Sequence, residues 1–260
     1  MRYDIGDLLS SWPFDPDEFI ARRITARDGT EKIQIRIDMG VLQLELQGRP
    51  DGQRPHGYDS LLEYHEAEVG QDQPGDLDED ACEDLFQEAW QYYQRYLSLF
   101  YLEDYDGVVR DTEHNLRIFR LVEQHAGNDD VKWYFEQYYP HAIMMQARSR
   151  AMVALEDENY RTAMREVEQG IERIEEFLAS WEGDGDVVDE EFPELTFLRD
   201  WYEELEKERP LSRREQLERD LTVAVEAENF EEAARLRDKL RTMRPAFRGA
   251  NPERSSSSSS

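Results

Sequence analysis

The sequence predicts an α+β protein that is mainly α-helical, with a small N-terminal helix plus β-hairpin domain followed by antiparallel helical hairpins. Two patterns carry this prediction. Apolar and polar residues alternate between Lys32 and Gln47, which is the period of a half-buried strand. From Asp80 onward the apolar residues recur every three or four positions, which is the period of a helix with one buried face.

A short amphipathic helix is predicted near the N-terminus. Asp15 is a good N-cap residue, and Pro16 then stands at the first helical position, where proline is tolerated. The helix would carry Phe19, Ile20 and Ile24 and end before Gly29.

The alternating stretch predicts two strands joined by a tight turn. With Met39 and Gly40 as the turn, the apolar residues of both strands share one face. The alternative is a longer loop from Asp38 to Val41. The pairs expected from the tight turn are Ile37 with Leu42, Ile35 with Leu44, Ile33 with Leu46, Arg36 with Gln43, and Gln34 with Glu45.

The stretch from Gly48 to Gly57 is rich in glycine and proline and predicts an irregular loop. It either connects the hairpin to a helix from Tyr58 to Val69, which we favour, or binds an anion through Arg49, Arg54 and His56. Residues 1–69 would form the N-terminal domain, and residues 70–79 an acidic linker.

Residues 80–208 are predicted to form a mainly helical domain. Two helices meet near Glu103 and Asp104, Pro140 interrupts the next stretch, and another helix starts after Asn159. Residues 182–191 form an acidic loop without the spacing of a calcium site, and a helix from Pro193 to Glu208 follows. The first two helices bury Leu85, Phe86, Ala89, Tyr93, Leu97 and Phe100, then Val108, Val109, Leu116, Phe119 and Val122.

One turn pattern recurs three times. An aromatic residue follows an acidic residue and an Asp or Asn, and a small or β-branched residue comes three positions later. The aromatic residues are Tyr105, Tyr160 and Phe230. Residues 80–208 therefore resemble the second halves of tetratricopeptide (TPR) repeats, which implies TPR-like helical hairpins, although the spacing is longer than in tandem repeats.

Residues 209–244 are predicted to form a last helical hairpin that turns at Ala227, Glu228 and Asn229. The string from Asn229 to Asp238, NFEEAARLRD, resembles the UVR (UvrB/UvrC) motif of bacterial proteins. In that family the motif is a helical hairpin through which UvrB and UvrC associate. The resemblance implies that Leu217, Leu221, Val225, Phe230, Glu231, Ala233, Ala234, Arg237, Asp238 and Leu240 bind a protein partner.

The charge balance argues against direct binding of nucleic acid. The chain has 60 acidic and 31 basic residues, for a net charge of -29. Nucleic acid is a polyanion, so it repels a protein with this net charge. The segment from Arg209 to Arg248 differs, since it carries ten basic and eight acidic residues. Residues 245–260 end in six serines and are predicted to be a disordered tail.

The compartment predicted is the cytoplasm. Cys82 is the only cysteine, which excludes an internal disulfide. No apolar run has the length of a membrane span, and the start MRYDIGDLLSSW lacks the features of an export signal.

No catalytic, cofactor or metal motif is present in the sequence. Phosphate-binding loops, dinucleotide fingerprints, zinc motifs and nucleophile elbows are all missing, and the five histidines are scattered. Two aromatic clusters, around Trp90 and Trp133, either fill a core or mark an interface. We therefore predict a non-enzymatic adaptor or scaffold. Its partner would be a protein, with another UVR-motif protein and a second copy of this chain as candidates. The alternatives are an accessory factor of nucleotide excision repair acting through UvrB or UvrC, and an enzyme with a site in the N-terminal domain.

Overall fold

The computed structural model describes residues 4–69, 77–181 and 192–242. The chain divides into two compact units, with the division between Lys207 and Glu208. The predicted acidic loop at 182–191 and tail at 245–260 lie outside the described residues, as do residues 70–76 of the predicted linker.

The first unit begins with a short helix, α1 (Gly6–Ser11), and a three-stranded antiparallel sheet. Its strands, β1 (Ala21–Thr25), β2 (Glu31–Ile37) and β3 (Gly40–Glu45), lie in sequence order. The helix predicted after Asp15 is wrong, because Ile24 lies in β1. Asp15 instead accepts a hydrogen bond from the Asp17 amide at 2.9 Å, which makes a local turn.

The turn that joins β1 to β2 explains why this segment is extended. Gly29 has a φ of 86°, which glycine adopts without strain. Asp28 accepts a hydrogen bond from the Thr30 amide at 3.0 Å. An Asp-Gly pair between β-prone segments is a strong signal for a β-hairpin, and it outweighs the apolar spacing that predicted a helix.

The β2–β3 hairpin forms, but its predicted register is wrong by two residues. Asp38 and Met39 make the turn, so Ile35 pairs with Leu42 and Ile33 with Leu44. A shift of two keeps every side chain on its face, since strand side chains alternate with a period of two. Ile33, Ile35, Leu44 and Leu46 are accordingly buried, while Ile37 and Leu42 at the turn end are exposed.

The loop after β3 is irregular, as predicted, and contains a single 3₁₀ turn (Pro55–Gly57). Helix α2 (Leu61–Glu68) begins three residues later than predicted, because Ser60 is its N-cap and accepts from the Glu63 amide at 3.1 Å. Arg49 pairs with Asp51 and Glu88, and Arg54 pairs with Asp59. Carboxylates thus already compensate the arginines of the anion-binding alternative.

The predicted helical region is confirmed, including the breaks near Glu103 and before Pro140. Helix α3 packs on α4, α4 on α6, and α6 on α7. Their bounds, with the two other helices of this region, are α3 (Glu79–Tyr101), α4 (Tyr105–His125), α5 (Asp129–Glu136), α6 (Tyr139–Glu156), α7 (Tyr160–Trp181) and α8 (Pro193–Glu208).

The sheet and the helices share one interior. Its apolar part joins the buried sheet residues to Tyr96, Leu99, Val108 and Met145. Arg95 is buried and donates to the carbonyls of Glu45 at 2.9 Å and Gly48 at 2.7 Å. The same guanidinium binds both oxygens of the buried Asp111 at 2.6 and 2.8 Å, so its charge is compensated.

The second unit contains α9 (Arg213–Glu226) and α10 (Phe230–Thr242), which pack on each other. Across the described parts of both units, no helix is long and apolar enough to cross a membrane.

Candidate functional site: the C-terminal helical hairpin

The predicted C-terminal hairpin is confirmed, with its turn at residues 227–229. Helix α9 starts with a capping box, in which Ser212 accepts from the Glu215 amide at 3.2 Å and Glu215 accepts from the Ser212 amide at 2.8 Å. Two helix-terminal donors are thereby satisfied. Arg209 also donates to both oxygens of Glu215, and this contact and the Ser212 bonds hold the pKa of that carboxyl well below its usual value.

The turn between α9 and α10 has a specific backbone form. Glu228 has a φ of 55°, and its amide donates to the Val225 carbonyl at 3.0 Å. The Asn229 amide donates to the Ala224 carbonyl at 2.8 Å, which closes the last turn of α9. The Asn229 side chain then caps α10 by accepting from the Glu232 amide at 3.3 Å.

The same turn occurs twice in the first unit. Glu103 and Glu158 have φ values of 59° and 54°, and the amides that follow them donate to the carbonyls of Leu99 and Ala154 at 2.8 Å each. The residue three positions after each aromatic is buried, namely Val108, Ala163 and Ala233. The predicted pattern of an aromatic residue followed three positions later by a small or β-branched residue therefore corresponds to one recurring turn.

The aromatic residue of this turn has a different environment in the last hairpin. Tyr105 is buried, and the centroid of its ring lies 5.6 Å from that of Phe100. Tyr160 is half-buried. Phe230 is 69% exposed. The exposed part of this ring is not stabilised by burial. Phe230 is therefore available for contact with another protein surface.

The core within the hairpin is small. It consists of Ala224, Ala233 and Leu236, with Leu217 and Leu221 packed partly against them. Two short helices with so few buried side chains have limited stability of their own.

The predicted partner-binding residues divide into three groups by burial. Ala233 is buried in the hairpin core, so it shapes the hairpin and is not open to a partner. Leu217, Leu221, Ala234 and Leu240 are partly buried. Those exposed are Val225, Phe230, Glu231, Arg237 and Asp238.

Two exposed large apolar residues of the second unit are not among the predicted site residues. Val223 is 57% exposed near the turn, and Leu211 is exposed just before α9. Helical periodicity assigns Val223 to the polar face and so offers no signal for it. By contrast, the spacing of Ser212 and Glu215 is a sequence signal for the start of α9.

The charged residues of the hairpin pair locally. Arg214 with Glu218, Arg235 with Glu232, and Arg237 with Asp238 lie 2.8, 3.1 and 3.2 Å apart. Except for the partly buried Glu232, these residues are exposed, and such pairs contribute about 0–1 kcal/mol each to folding. They add charge of both signs around the exposed apolar residues.

Comparison with known proteins agrees with the hairpin geometry. A family model described as the UvrB/uvrC motif matches residues 212–244, so this chain carries a UVR motif in its C-terminal hairpin. Searches of curated proteins and of solved structures find no match. The TPR-like character of residues 80–208 stays a prediction.

The described residues contain no group of three or more His, Cys, Asp and Glu side chains that could hold a metal ion. We take the hairpin, which carries the match to the UVR family model, as the candidate site.

Proposed function

We propose that this protein is a non-enzymatic adaptor or scaffold whose C-terminal hairpin docks on a helix pair of another protein. The observation that carries the proposal is the exposure of Phe230, in a turn whose two counterparts have packed or half-buried aromatic residues. Val223 and Val225 flank the same turn and are also more than half exposed.

The energetics of the hairpin support docking over a purely internal role. Its core is small, and burying Phe230 and Val225 would contribute roughly 1.5–3 kcal/mol per side chain. The matched UVR motif is a protein-interaction motif in UvrB and UvrC. A second UVR-type hairpin, on another protein or on a second copy of this chain, is the partner with the complementary form.

The test replaces Phe230 with Asp in the tagged full-length protein. We expect loss of the captured partner in a quantitative pull-down, with an affinity decrease of about 30-fold or more, because a buried aromatic anchor is worth at least about 2 kcal/mol. Sedimentation analysis of the purified protein asks separately whether the partner is a second copy.

Met39→Asp is the matched control. Met39 is exposed at the β2–β3 turn, so its replacement introduces the same charge at an apolar surface residue outside the hairpin. Partner capture should be unchanged in this variant. Retention of the partner by Phe230→Asp, with both proteins folded by circular dichroism, would show that the hairpin is not the docking element.

A second candidate function is an accessory role in nucleotide excision repair, reached through UvrB or UvrC. The description of the matched motif favours it, and Arg235, Arg237, Lys239 and Arg241 give α10 a basic character. We expect no binding of DNA by the protein alone at physiological salt, because its net charge of -29 opposes association with a polyanion. Capture of UvrB or UvrC by the wild type, lost in Phe230→Asp, would select this function.

A further inference from the structure

A groove lies between α3 and α5 in the first unit. One side is formed by residues that share a face of α3, from Glu79 to Gln87, and the other by two turns of α5, from Asp130 to Phe135. Its volume is about 580 Å³, which lies within the range of about 300–1,000 Å³ found for ligand pockets. This α3–α5 groove is therefore large enough to admit several side chains of a partner.

The floor of the α3–α5 groove is apolar and reaches the surface. Phe86 packs against the buried Phe135, with ring centroids 5.5 Å apart, but is itself only partly buried. Val131 is also partly buried, and Tyr134, one turn further along α5, is 45% exposed. The ring centroids of Phe86 and Tyr134 lie 4.6 Å apart, so the exposed ring continues the floor.

Exposed aromatic residues extend this surface beyond the groove. Tyr138 follows Tyr134 by four residues, is exposed, and has its ring centroid 5.9 Å from that of Phe86. Trp90, one turn after Phe86 on α3, is 49% exposed. Single exposed apolar residues are common, but a contiguous patch of them indicates an interaction surface.

The rim of the groove is acidic. Glu79, Glu83 and Asp130 are exposed there. None of the described residues that line the groove is basic, and Lys132 pairs with Asp129 at 3.6 Å. Carboxylates around an apolar floor are complementary to a partner with an apolar centre and positively charged flanks. The net charge of -29 also steers a cationic partner toward the protein.

The dimensions of the groove fit a helix. At a rise of about 1.5 Å per residue, the side formed by residues 79–87 is about 12 Å long, which is about two helical turns. A third helix can lie along two others by placing its side-chain ridges into the groove between them.

We propose that the α3–α5 groove binds a basic amphipathic helix of a partner protein. The apolar stripe of that helix lies on Phe86, Val131 and Tyr134. Lysine or arginine residues at the edges of the stripe lie beside Glu83 and Asp130. All described lining residues belong to the first unit, so this surface is distinct from the C-terminal hairpin.

Fluorescence anisotropy of labelled peptides with the full-length protein tests the proposal. The probe is a peptide of about 15 residues, near the length at which an isolated helix becomes stable, with leucine at helical spacing and lysine elsewhere. Two comparison peptides replace every lysine with glutamate or every leucine with serine. We expect the leucine–lysine peptide to bind with a Kd of about 100 µM or lower, and both comparison peptides to bind at least about tenfold more weakly.

Two pairs of variants, with folding checked by circular dichroism, locate the binding. Tyr134→Ser removes an exposed ring of the groove and should weaken the leucine–lysine peptide about tenfold. Trp133→Ser removes a similarly exposed ring of α5 outside the groove and should have no effect. Glu83→Lys should also weaken the peptide about tenfold, whereas Asp84→Lys makes the same change of charge on another face of α3 and should have a much smaller effect.

Several outcomes would overturn the proposal. Equal binding of the serine–lysine peptide would mean attraction by charge alone. Unchanged binding in Tyr134→Ser, or no binding of the leucine–lysine peptide below about 1 mM, would also exclude the groove as its site. A wild-type dimer that Tyr134→Ser dissociates in sedimentation analysis would assign the groove to a second copy of this chain instead. Phe230→Asp should bind the peptide as the wild type does, so this test is independent of docking by the hairpin.

Discussion

Glu88 is a fully buried carboxylate that connects α3 to the start of α2. It accepts hydrogen bonds from the amides of Leu61 and Leu62 at 2.8 and 3.1 Å, and its Oε1 lies 3.0 Å from Nε2 of His114. Arg49 approaches the same carboxylate at 3.3 Å. The first amides of a helix carry partial positive charge, so Glu88 compensates the N-terminus of α2.

The pKa of Glu88 reflects two opposing effects. Burial by itself raises this pKa, but the hydrogen bonds from His114 and from the Leu61 and Leu62 amides outweigh it. The pKa of Glu88 in the folded protein is therefore below its ordinary value of 4.5. A lowered carboxyl pKa stabilises the fold above pH 4.5, and this contribution is lost as the pH falls through the folded-state pKa.

We predict that Glu88→Gln lowers the free energy of unfolding at pH 7 by about 2 kcal/mol, because hydrogen bonds to a charged acceptor are replaced by weaker ones. Urea unfolding at a series of pH values measures the gap in unfolding free energy between wild type and variant. The gap should be constant between pH 7 and 5 and should narrow below about pH 4.5.

Glu83→Gln is the control for this prediction. Glu83 is exposed on the same helix, so the same change there should alter stability by less than about 0.5 kcal/mol at every pH. A gap for Glu88→Gln that does not depend on pH would mean that the charge of Glu88 contributes nothing.

At the scale of elements, α6 and α7 approach each other closely at Gly170. A methyl group added to Gly170 would lie 2.5 Å from Cβ of Ala147, which is too close for two side-chain atoms on rigid helices. Gly170 therefore sets the distance between these two helices.

We predict that Gly170→Ala destabilises the protein by about 1–3 kcal/mol through overpacking. This sign is informative, because glycine to alanine inside a helix otherwise stabilises by about 1 kcal/mol. Thermal or urea unfolding of the purified variant measures the change.

The double variant Gly170→Ala with Ala147→Gly tests the cause. Removing the opposing methyl group should restore most of the lost stability, so the two changes should be strongly non-additive. If the double variant is less stable than either single one, the helices are not in contact at this point.

The helices after residue 79 were predictable because their signals are local. Each break has its own marker: Asp104, Asn159 and Asn229 cap the next helix, and Pro140 lies in the first turn of α6. The helix predicted after Asp15 rests on a local capping signal, whereas β1 is held by its pairing with β2, whose partner residues lie 6 to 14 positions away. The predicted β2–β3 register differs from the observed one by two residues. A shift of two leaves the same side chains on the apolar face, so the alternating pattern does not distinguish the two registers.

The hairpin was predictable as an element, but its surface was not. Periodicity identifies one apolar stripe on each helix and does not show which members face the other helix. Ala233 and Leu236 therefore look like Phe230 in the sequence, although the first two are buried and Phe230 is exposed.

At the scale of the whole molecule, the two units differ greatly in the size of their cores. In the first unit, buried residues from the sheet and from α2 to α8 form two extensive clusters. In the second, three buried side chains hold α9 and α10 together. Since local opening is easiest where few apolar contacts are lost, the hairpin should open without unfolding of the first unit.

We predict that amide hydrogens in α9 and α10 exchange at least about 100-fold faster than those in α4 and α6, which corresponds to about 2.8 kcal/mol less protection. Hydrogen exchange of the full chain read by mass spectrometry resolves these helices.

Leu236→Ala should accelerate exchange only within residues 213–242, because Leu236 belongs to the core of the hairpin. Leu116→Ala, at a fully buried site in the first unit, should leave exchange in the hairpin unchanged. Equal protection of the two units would contradict this independence. A bound partner should slow exchange in the hairpin in proportion to its saturation, because it binds the closed form.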